Sequence, residues 1–237
     1  MSGHSKWANI KRKKEANDKE RGKIFSKLAR LITLAVAEGG GSPDPATNVK
    51  LRFAVERAKV ANMPKDNIER AIDKAVGPGS VALQEIYYEA FAQGSVALII
   101  HATTDNVNRT IAEIRVELAR GGAKLASQGS VLYLFRKCAS IAFDMGKNSE
   151  EDLYRFADSI DSFDIEADGP MTIIYFPFEN IGRAGDLPEQ MTAEAPAEID
   201  FRPISTVEVD AERALQLEGL IERLEDLDDV QGVFANY

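Results

Sequence analysis

The stretch IYYEAFAQGSVALIIHAT, residues 86–103, decides how the middle of the chain folds. Its two halves, Ile86–Phe91 and Val96–Thr103, are rich in the β-branched and aromatic residues that favour strands. Gln93 and Gly94 lie between the halves, and a short break that contains glycine is typical of a turn between paired strands. We therefore predict a β-hairpin at this position.

Toward the C-terminus, helix and strand patterns alternate to the end of the sequence. Asp105 or Asn106 can cap a helix over Val107–Arg120. Further strands are predicted at Val131–Phe135, Ile141–Asp144, Phe163–Glu166, Met171–Pro177, Ile199–Arg202, Thr206–Val209 and Val230–Ala235, and further helices at Glu150–Ile160, Phe178–Met191 and Ala211–Leu227. The final elements resemble the missing half of the unit that starts with the hairpin. We therefore predict that residues 138–203 are inserted into a domain made of residues 81–137 and 204–237.

Toward the N-terminus, the sequence is predicted to be helical throughout. Apolar residues recur with a helical period from Ile24 to Val36, and Asp44 followed by Pro45 is typical of a second helix start. A third helix is predicted to end at Gly77, followed by a linker. The predicted fold class is thus α+β and multidomain. A three-helix domain over residues 1–77 precedes two α/β domains with the alternation of ferredoxin-like folds, one inserted in the other.

The charge of the chain changes sign near the same linker. Residues 1–75 contain 17 basic and 9 acidic residues, a balance of +8, whereas residues 76–237 contain 12 and 29, a balance of −17. Charges are largely screened beyond about 8 Å at physiological salt, so a partner of the N-terminal part experiences mainly its local charge. The sequence therefore predicts a module that binds polyanions, joined to a more acidic body.

The candidate contact surface is the opening segment MSGHSKWANIKRKK, residues 1–14. Cations release counterions from phosphates, and an aromatic ring can stack on an unpaired base. A solvated helix face, with Trp7 as a core anchor, is the alternative, and it applies equally to the cations farther along the helix. We predict nucleic-acid contact by His4, Ser5, Lys6, Trp7, Lys11, Arg12, Lys13, Lys14, Lys19 and Lys23.

A second polar cluster follows the hairpin. Asn106, Asn108 and Arg109 form a possible secondary binding edge, because backbone donors at a helix N-terminus beside an arginine can hold a phosphate or carboxylate. Helix capping explains the same residues without any ligand. Both interpretations remain open at this point.

Catalysis and metal binding have little support in the sequence. The acidic run at residues 225–229 sits at one helix end, whereas a nuclease site needs carboxylates that converge from separate elements. His4 and His101 are far apart, and Cys138 is the single cysteine, so zinc-type ligand spacing is missing. We predict a protein that is not an enzyme and has no metal or cofactor.

Targeting signals are also missing from the sequence. The first residues are charged, with no apolar leader region, and no later run approaches the ~18 apolar residues of a membrane span. We predict a cytoplasmic protein without a membrane partner.

Seven blocks of the sequence resemble one known family. They are GHSKWANIKRKK from Gly3, RGKIFSKLAR from Arg21, GGG from Gly39, NMPKDNIERAI from Asn62, TTDNVNRT from Thr103, GGAKLASQGSVLYLF from Gly121 and LEDLDDVQGVFANY from Leu224. Together they resemble the YebC/PmpR family, which includes bacterial proteins named as probable transcriptional regulators and the mitochondrial translational activator of cytochrome c oxidase subunit I. The resemblance implies three domains around a cleft and no established catalytic activity.

The family's described roles leave three functions open for this chain. The resemblance implies either a DNA-binding transcriptional regulator or a ribosome-associated factor that binds ribosomal or transfer RNA and helps synthesis of proline-rich stretches. A protein-binding adaptor, whose basic segment docks on an acidic partner, is the third possibility. The predicted partner is thus nucleic acid, either DNA or RNA of the ribosome, and the oligomeric state is left open.

Overall fold

The computed structural model describes residues 18–77 and 82–237, with side chains from Arg21 onward. It contains, in chain order, α1 (Asp18–Glu38), α2 (Val49–Val60), α3 (Lys65–Val76), β1 (Gln84–Phe91), β2 (Ala97–Thr104), α4 (Val107–Arg120), β3 (Lys124–Leu125), β4 (Phe135–Asp144), α5 (Glu150–Ser159), β5 (Asp164–Asp168), β6 (Met171–Phe176), β7 (Glu198–Pro203), α6 (Ala211–Glu225) and β8 (Val230–Ala235). The mixed α+β fold class is confirmed, with two four-stranded sheets.

The described residues form two compact units. One contains residues 18–77, 82–136 and Pro203–Tyr237, and the other contains Lys137–Arg202. We call the second one the acidic unit, because it has 15 acidic and 5 basic residues. The division into three domains with the boundaries given above stays a prediction.

Helices α1, α2 and α3 enclose a core of their own. Ile32, Val36, Leu51 and Ala58 are fully buried there. Helix α2 begins later than predicted, because Asn48 caps it: the Asn48 side chain accepts from Leu51 N at 3.1 Å. The Asn48 amide also donates to Ala35 O at 2.9 Å, which ties the start of α2 to α1. Asp44 instead holds a turn, since its carbonyl accepts from Asn48 N at 2.9 Å.

The predicted hairpin is confirmed and forms the centre of the first sheet. Strands β1 and β2 pair antiparallel, with Tyr88 opposite Ile100. The sheet order is β3-β1-β2-β8. Helices α4 and α6 contribute Ile114, Leu118 and Leu220 to the core that covers the sheet. The final strand therefore lies beside the hairpin although some 130 residues separate them in sequence.

The acidic unit has the sheet order β5-β6-β4-β7. Strand β6 lies between β4 and β5, although helix α5 joins those two strands in the chain, which is a split βαβ arrangement. Helix α5 packs Leu153 and Phe156 against the sheet. The Phe156 ring meets Phe143 edge to face, with ring centres 5.5 Å apart. Strand β5 lies at one edge of this sheet, and strand β7 lies at the other.

Three element predictions were wrong. Phe178–Met191 forms two short 3-10 turns rather than a helix, and Gly182, Gly185 and Pro188 interrupt it. Thr206–Val209 is not a strand, although Val207 N donates to Asn236 O. The side chains of Val207 and Val209 nevertheless pack on the core of the first unit. The segment is therefore partly buried but does not pair as a strand.

The third error, at Val131–Phe135, has a specific cause. Residues Leu132–Leu134 form a 3-10 turn, and strand β4 starts at Phe135. The turn is held by the carboxylate of Glu89, which is 2% exposed. This carboxylate accepts from the backbone N–H groups of Gly129 at 2.5 Å, of Leu132 at 2.9 Å and of Val131. Backbone donors bound to a side chain are not available for a strand ladder.

Replacing Glu89 with Ala is expected to lower the free energy of unfolding by about 2–3 kcal/mol, because three backbone donors lose their acceptor and the one on Val131 is buried. Urea unfolding followed by circular dichroism measures the change. The Glu89→Gln variant keeps one oxygen and is expected to lose about 1 kcal/mol less than Glu89→Ala. Equal stability of Glu89→Ala and the wild type would show that the turn forms without this carboxylate.

Within the described ranges, no helix has both the length and the apolar character needed to cross a membrane.

Candidate nucleic-acid interface

Most of the predicted contact residues lie outside the described part of the chain. These are His4, Ser5, Lys6, Trp7, Lys11, Arg12, Lys13 and Lys14. Lys19 lies on α1, in the part whose side chains are not described. Lys23 is the first predicted contact residue whose side chain the structure describes. It belongs to a row of cations on α1 whose partners lie within the protein.

The basic face of α1 meets the acidic end of α6. Lys23 Nζ lies 3.2 Å from Asp226 Oδ1. Lys27 donates to the carbonyl of Glu225, and Arg30 donates to the carbonyl of Asp228. Carbonyls at a helix C-terminus carry partial negative charge, so cations are stabilised there. Three cations of α1 are therefore engaged by the chain's own acidic run.

Asp229 lies at the centre of this arrangement and is 1% exposed. Its Oδ2 accepts from Thr110 Oγ1 at 2.7 Å, from Thr104 Oγ1 at 3.0 Å and from Arg109 Nη2 at 2.7 Å. Its Oδ1 lies 3.2 Å from Arg30 Nη1, close enough for an ion pair but without hydrogen-bond geometry. The Asp229 cluster, as we call it, comprises Lys23, Lys27, Arg30, Thr104, Arg109, Thr110 and residues 225–229.

The electrostatics of the Asp229 cluster favour a charged carboxylate. Burial alone would raise the pKa of Asp229, but hydrogen bonds from Arg109, Thr110 and Thr104 and the charge of Arg30 outweigh it and lower the pKa. The hydrogen bonds that Arg109 donates to Asp229 and Asp105 raise the pKa of Arg109 in turn. Asp229 thus joins α1 to strand β2 and helix α4, and it does so as a charged carboxylate at neutral pH.

The possible secondary edge is largely occupied by structural roles. Asn106 caps α4, since its side chain accepts from Arg109 N at 3.1 Å. Arg109 Nη2 lies 2.7 Å from both Asp105 and Asp229. Asn108 is exposed. Capping accounts for Asn106, and ion pairing accounts for Arg109, so ligand binding at this edge stays a prediction.

The acidic run does not form a metal site in the described residues. No group of three His, Cys, Asp or Glu side chains there is placed to hold a metal ion. The carboxylates of Asp226 and Asp229 face cations of α1 and α4. Their chemistry is ion pairing within the protein.

Sequence reasoning missed two exposed cations on α2. Arg52 and Lys59 are exposed and make no ion pair within the described residues. They are seven residues apart, so both lie on one face of the helix. The spacing of seven residues could have identified this pair of cations from the sequence. They add positive charge to the helical part, in contrast to the paired cations of α1.

Comparisons with known proteins agree over the whole chain. Two family models match it: the TACO1/YebC protein N-terminal domain over residues 5–78, and the TACO1/YebC second and third domain over residues 83–237. A relative from Rubrobacter xylanophilus is 43% identical over 240 residues, covering 100% of this chain and 95% of the relative. A relative from Thermosipho melanesiensis is 46% identical over 242 residues, covering 100% and 94%. Both are named "Probable transcriptional regulatory protein".

A solved structure is similar as well. The crystal structure of a conserved hypothetical protein from Aquifex aeolicus matches with a TM-score of 0.83 and 40% sequence identity. The match covers 92% of this chain and 90% of that protein.

Proposed function

The chain belongs to the TACO1/YebC family, and from this premise we propose that it is a regulator of gene expression that acts by binding nucleic acid, without catalysing a reaction. The relatives' names support the regulatory role. The proposal assigns the contact to the basic N-terminal segment, residues 4–14. The α/β part would then position this segment or contact other proteins.

The observation that carries the proposal is the division of positive charge. In the Asp229 cluster, Lys23, Lys27 and Arg30 already have acidic partners or carbonyl acceptors within the protein. The sequence places five further cations in residues 6–14, around Trp7 and without an acidic residue among them. A cation that is already paired within the protein contributes little to the release of counterions from phosphates. Residues 6–14 are therefore the better candidate for polyanion contact.

Two targets are supported by different observations. Promoter DNA is favoured by the names of the relatives, which describe transcriptional regulation. Structured RNA is a second candidate, because a single aromatic ring within a lysine-rich segment suits unpaired bases that can be stacked. The adaptor role needs an acidic protein partner instead.

Binding measured against salt concentration tests the proposal. Fluorescence anisotropy with a labelled 20-bp duplex, a structured RNA hairpin and poly-glutamate is recorded between 50 and 300 mM NaCl. If about five phosphates are neutralised, the slope of log affinity against log salt is expected to be about −4 to −5 on duplex DNA and shallower on single strands.

Each outcome assigns a role. Duplex binding that survives excess unrelated DNA supports transcriptional regulation, and preferential RNA binding supports the translational role. Binding to poly-glutamate with no binding to either nucleic acid would contradict the proposal and favour the adaptor.

A further inference from the structure

The sheet of the acidic unit has a second face, opposite helix α5, which we call the β4–β6 face. Cys138, Met171 and Ile173 form an apolar cluster there, and each is at most 1% exposed. Apart from Phe163, which packs at the margin, the apolar residues of this cluster belong to β4 and β6. In the part of the acidic unit that the structure describes, no helix or turn contributes an apolar side chain to it. An apolar sheet face is buried against another layer, so a further part of the protein covers this one.

In its middle, strand β4 contributes small side chains to the β4–β6 face. They are Cys138, Ser140 and Ala142, which alternate with the residues that face α5. On the neighbouring strand, Ile173 lies opposite Ala142, and Tyr175 lies opposite Ser140. Small side chains beside large ones leave a trough along β4. Because protein interiors are close-packed, a bulky side chain from outside the sheet is needed to fill it.

The two outer strands carry acidic residues on the β4–β6 face. Asp200 of β7 accepts from Ser140 Oγ at 2.7 Å, which places it on this face. By alternation along β5 and β7, five carboxylates share the face: Asp164, Glu166, Asp168, Glu198 and Asp200. Arg202 bridges Asp164 at 2.8 Å and Glu166 at 2.6 Å. The other three also have interaction partners within the chain, which indicates that this protein itself supplies what lies against them.

One segment of the chain, residues 4–14, matches this face in shape and charge, and it precedes the described residues. It contains the single tryptophan, Trp7, followed three residues later by Ile10, a spacing that places both on one side of a helix. It also contains five cations and no acidic residue, whereas the acidic unit has a net charge of −10 from 15 acidic and 5 basic residues. The cations near the start of α1 are engaged in the Asp229 cluster instead. A second acidic unit would be repelled by its like charge.

We propose that the β4–β6 face is the docking site of the chain's own residues 4–14. Trp7 and Ile10 fill the trough along β4, and the cations of the segment lie along the carboxylates of β5 and β7. The consequence for binding rests on the proposed function: a docked segment is withheld from nucleic acid, so the acidic unit and a nucleic acid compete for the same side chains. Weak, non-specific targets are thereby disfavoured, because binding them has to offset the loss of docking.

Trp7 is the only tryptophan of the chain, so the intrinsic fluorescence of the full-length protein tests docking without any nucleic acid. Trp7 is expected to emit at a shorter wavelength than it does in a synthetic peptide of residues 1–17, because a buried ring is shielded from water. For the same reason, acrylamide is expected to quench it less than in the peptide. Emission and quenching equal to those of the peptide would overturn the proposal.

Two changes place the contact on the β4–β6 face. Ile10→Asn removes apolar burial without changing the charge, and it is expected to weaken docking about tenfold. Asp168→Lys combined with Glu198→Lys puts cations against the cations of the segment, and it is expected to weaken docking by at least about as much. In both variants, Trp7 emission is expected to shift toward that of the peptide.

Glu150→Lys combined with Asp158→Lys is the matched control. It changes the charge by the same amount at exposed positions of α5, which packs on the opposite face of the sheet. Trp7 emission is expected to stay as in the wild type, and far-UV circular dichroism checks that each variant keeps its fold. If Trp7 is shielded and neither Ile10→Asn nor the charge reversal on β5 and β7 releases it, another surface covers the segment and the proposal is wrong.

Duplex binding separates docking from the proposed function. Because docking opposes binding less, Ile10→Asn is expected to bind the labelled duplex up to about tenfold more tightly than the wild type at the same salt concentration. Equal affinity, with Trp7 released in the variant, would overturn the competition. If Trp7 behaves as expected but neither the wild type nor the variant binds nucleic acid, docking stands and the proposed function is wrong.

Discussion

Replacing Asp229 with Ala is expected to lower the free energy of unfolding by about 3 kcal/mol, the lower part of the range for breaking a buried ion pair. The side chain of Asp229 is 2% exposed, whereas that of Arg109 is 41% exposed and stays hydrated without its partner. The larger loss comes from the buried hydroxyl of Thr104, which loses its acceptor, whereas the Thr110 hydroxyl can still donate to Asn106 O at 3.1 Å. Urea unfolding of the full-length protein measures the change.

Asp226 provides the matched control for this prediction. Its side chain is 71% exposed and pairs with Lys23 at 3.2 Å. Exposed pairs contribute about 0–1 kcal/mol, so Asp226→Ala is expected to be nearly neutral. If Asp226→Ala and Asp229→Ala destabilise the protein equally, burial does not set the contribution of the cluster.

The same carboxylate links stability to pH. Its pKa is lowered in the folded protein, so its contribution is present above the pKa of an unfolded aspartate, about 3.9, and is lost as pH falls through the lower folded value. The unfolding free energy of the wild type should therefore decrease below about pH 4. The Asp229→Asn variant should show a shallower decrease over the same range, because its amide does not titrate.

Local sequence patterns were sufficient for much of the fold. The helix Val107–Arg120 and the strand Val230–Ala235 have the predicted bounds. Their ends are determined by capping residues and apolar periodicity within the segments themselves. The turn at Leu132–Leu134 could not be predicted this way. Its backbone donors bind Glu89, which is some 40 residues earlier in the chain. A strand pattern and a turn held by a distant carboxylate look alike in sequence.

The candidate site shows the same limit for charge. Lys23 and Arg30 were counted with the basic N-terminal field, since both follow it directly in sequence. Their partners at residues 226–229 lie some 200 residues away and become neighbours when α6 packs near α1. Charge runs therefore show how many cations a segment has. They do not show which of those cations are paired within the protein.

Replacing Lys11, Arg12, Lys13 and Lys14 with Ala is expected to make the salt slope on duplex DNA shallower by about 3 to 4, since each neutralised phosphate contributes about 0.9. Affinity near 100 mM salt should fall by at least about 100-fold for the same reason. The expectation follows from the proposal that these four cations contact phosphates directly. Anisotropy titrations at several salt concentrations give both quantities.

Two further variants decide whether position or total charge matters. Replacing Lys65, Arg120, Arg155 and Arg183 with Ala removes the same charge from side chains that are exposed elsewhere on the protein. Lys23→Ala removes a cation that already pairs with Asp226. Both are expected to keep the wild-type slope within about 1, the contribution of a single phosphate. A charge-matched control as weak as the N-terminal variant would mean that net charge, rather than a localised segment, controls binding, and the proposed contact would be wrong.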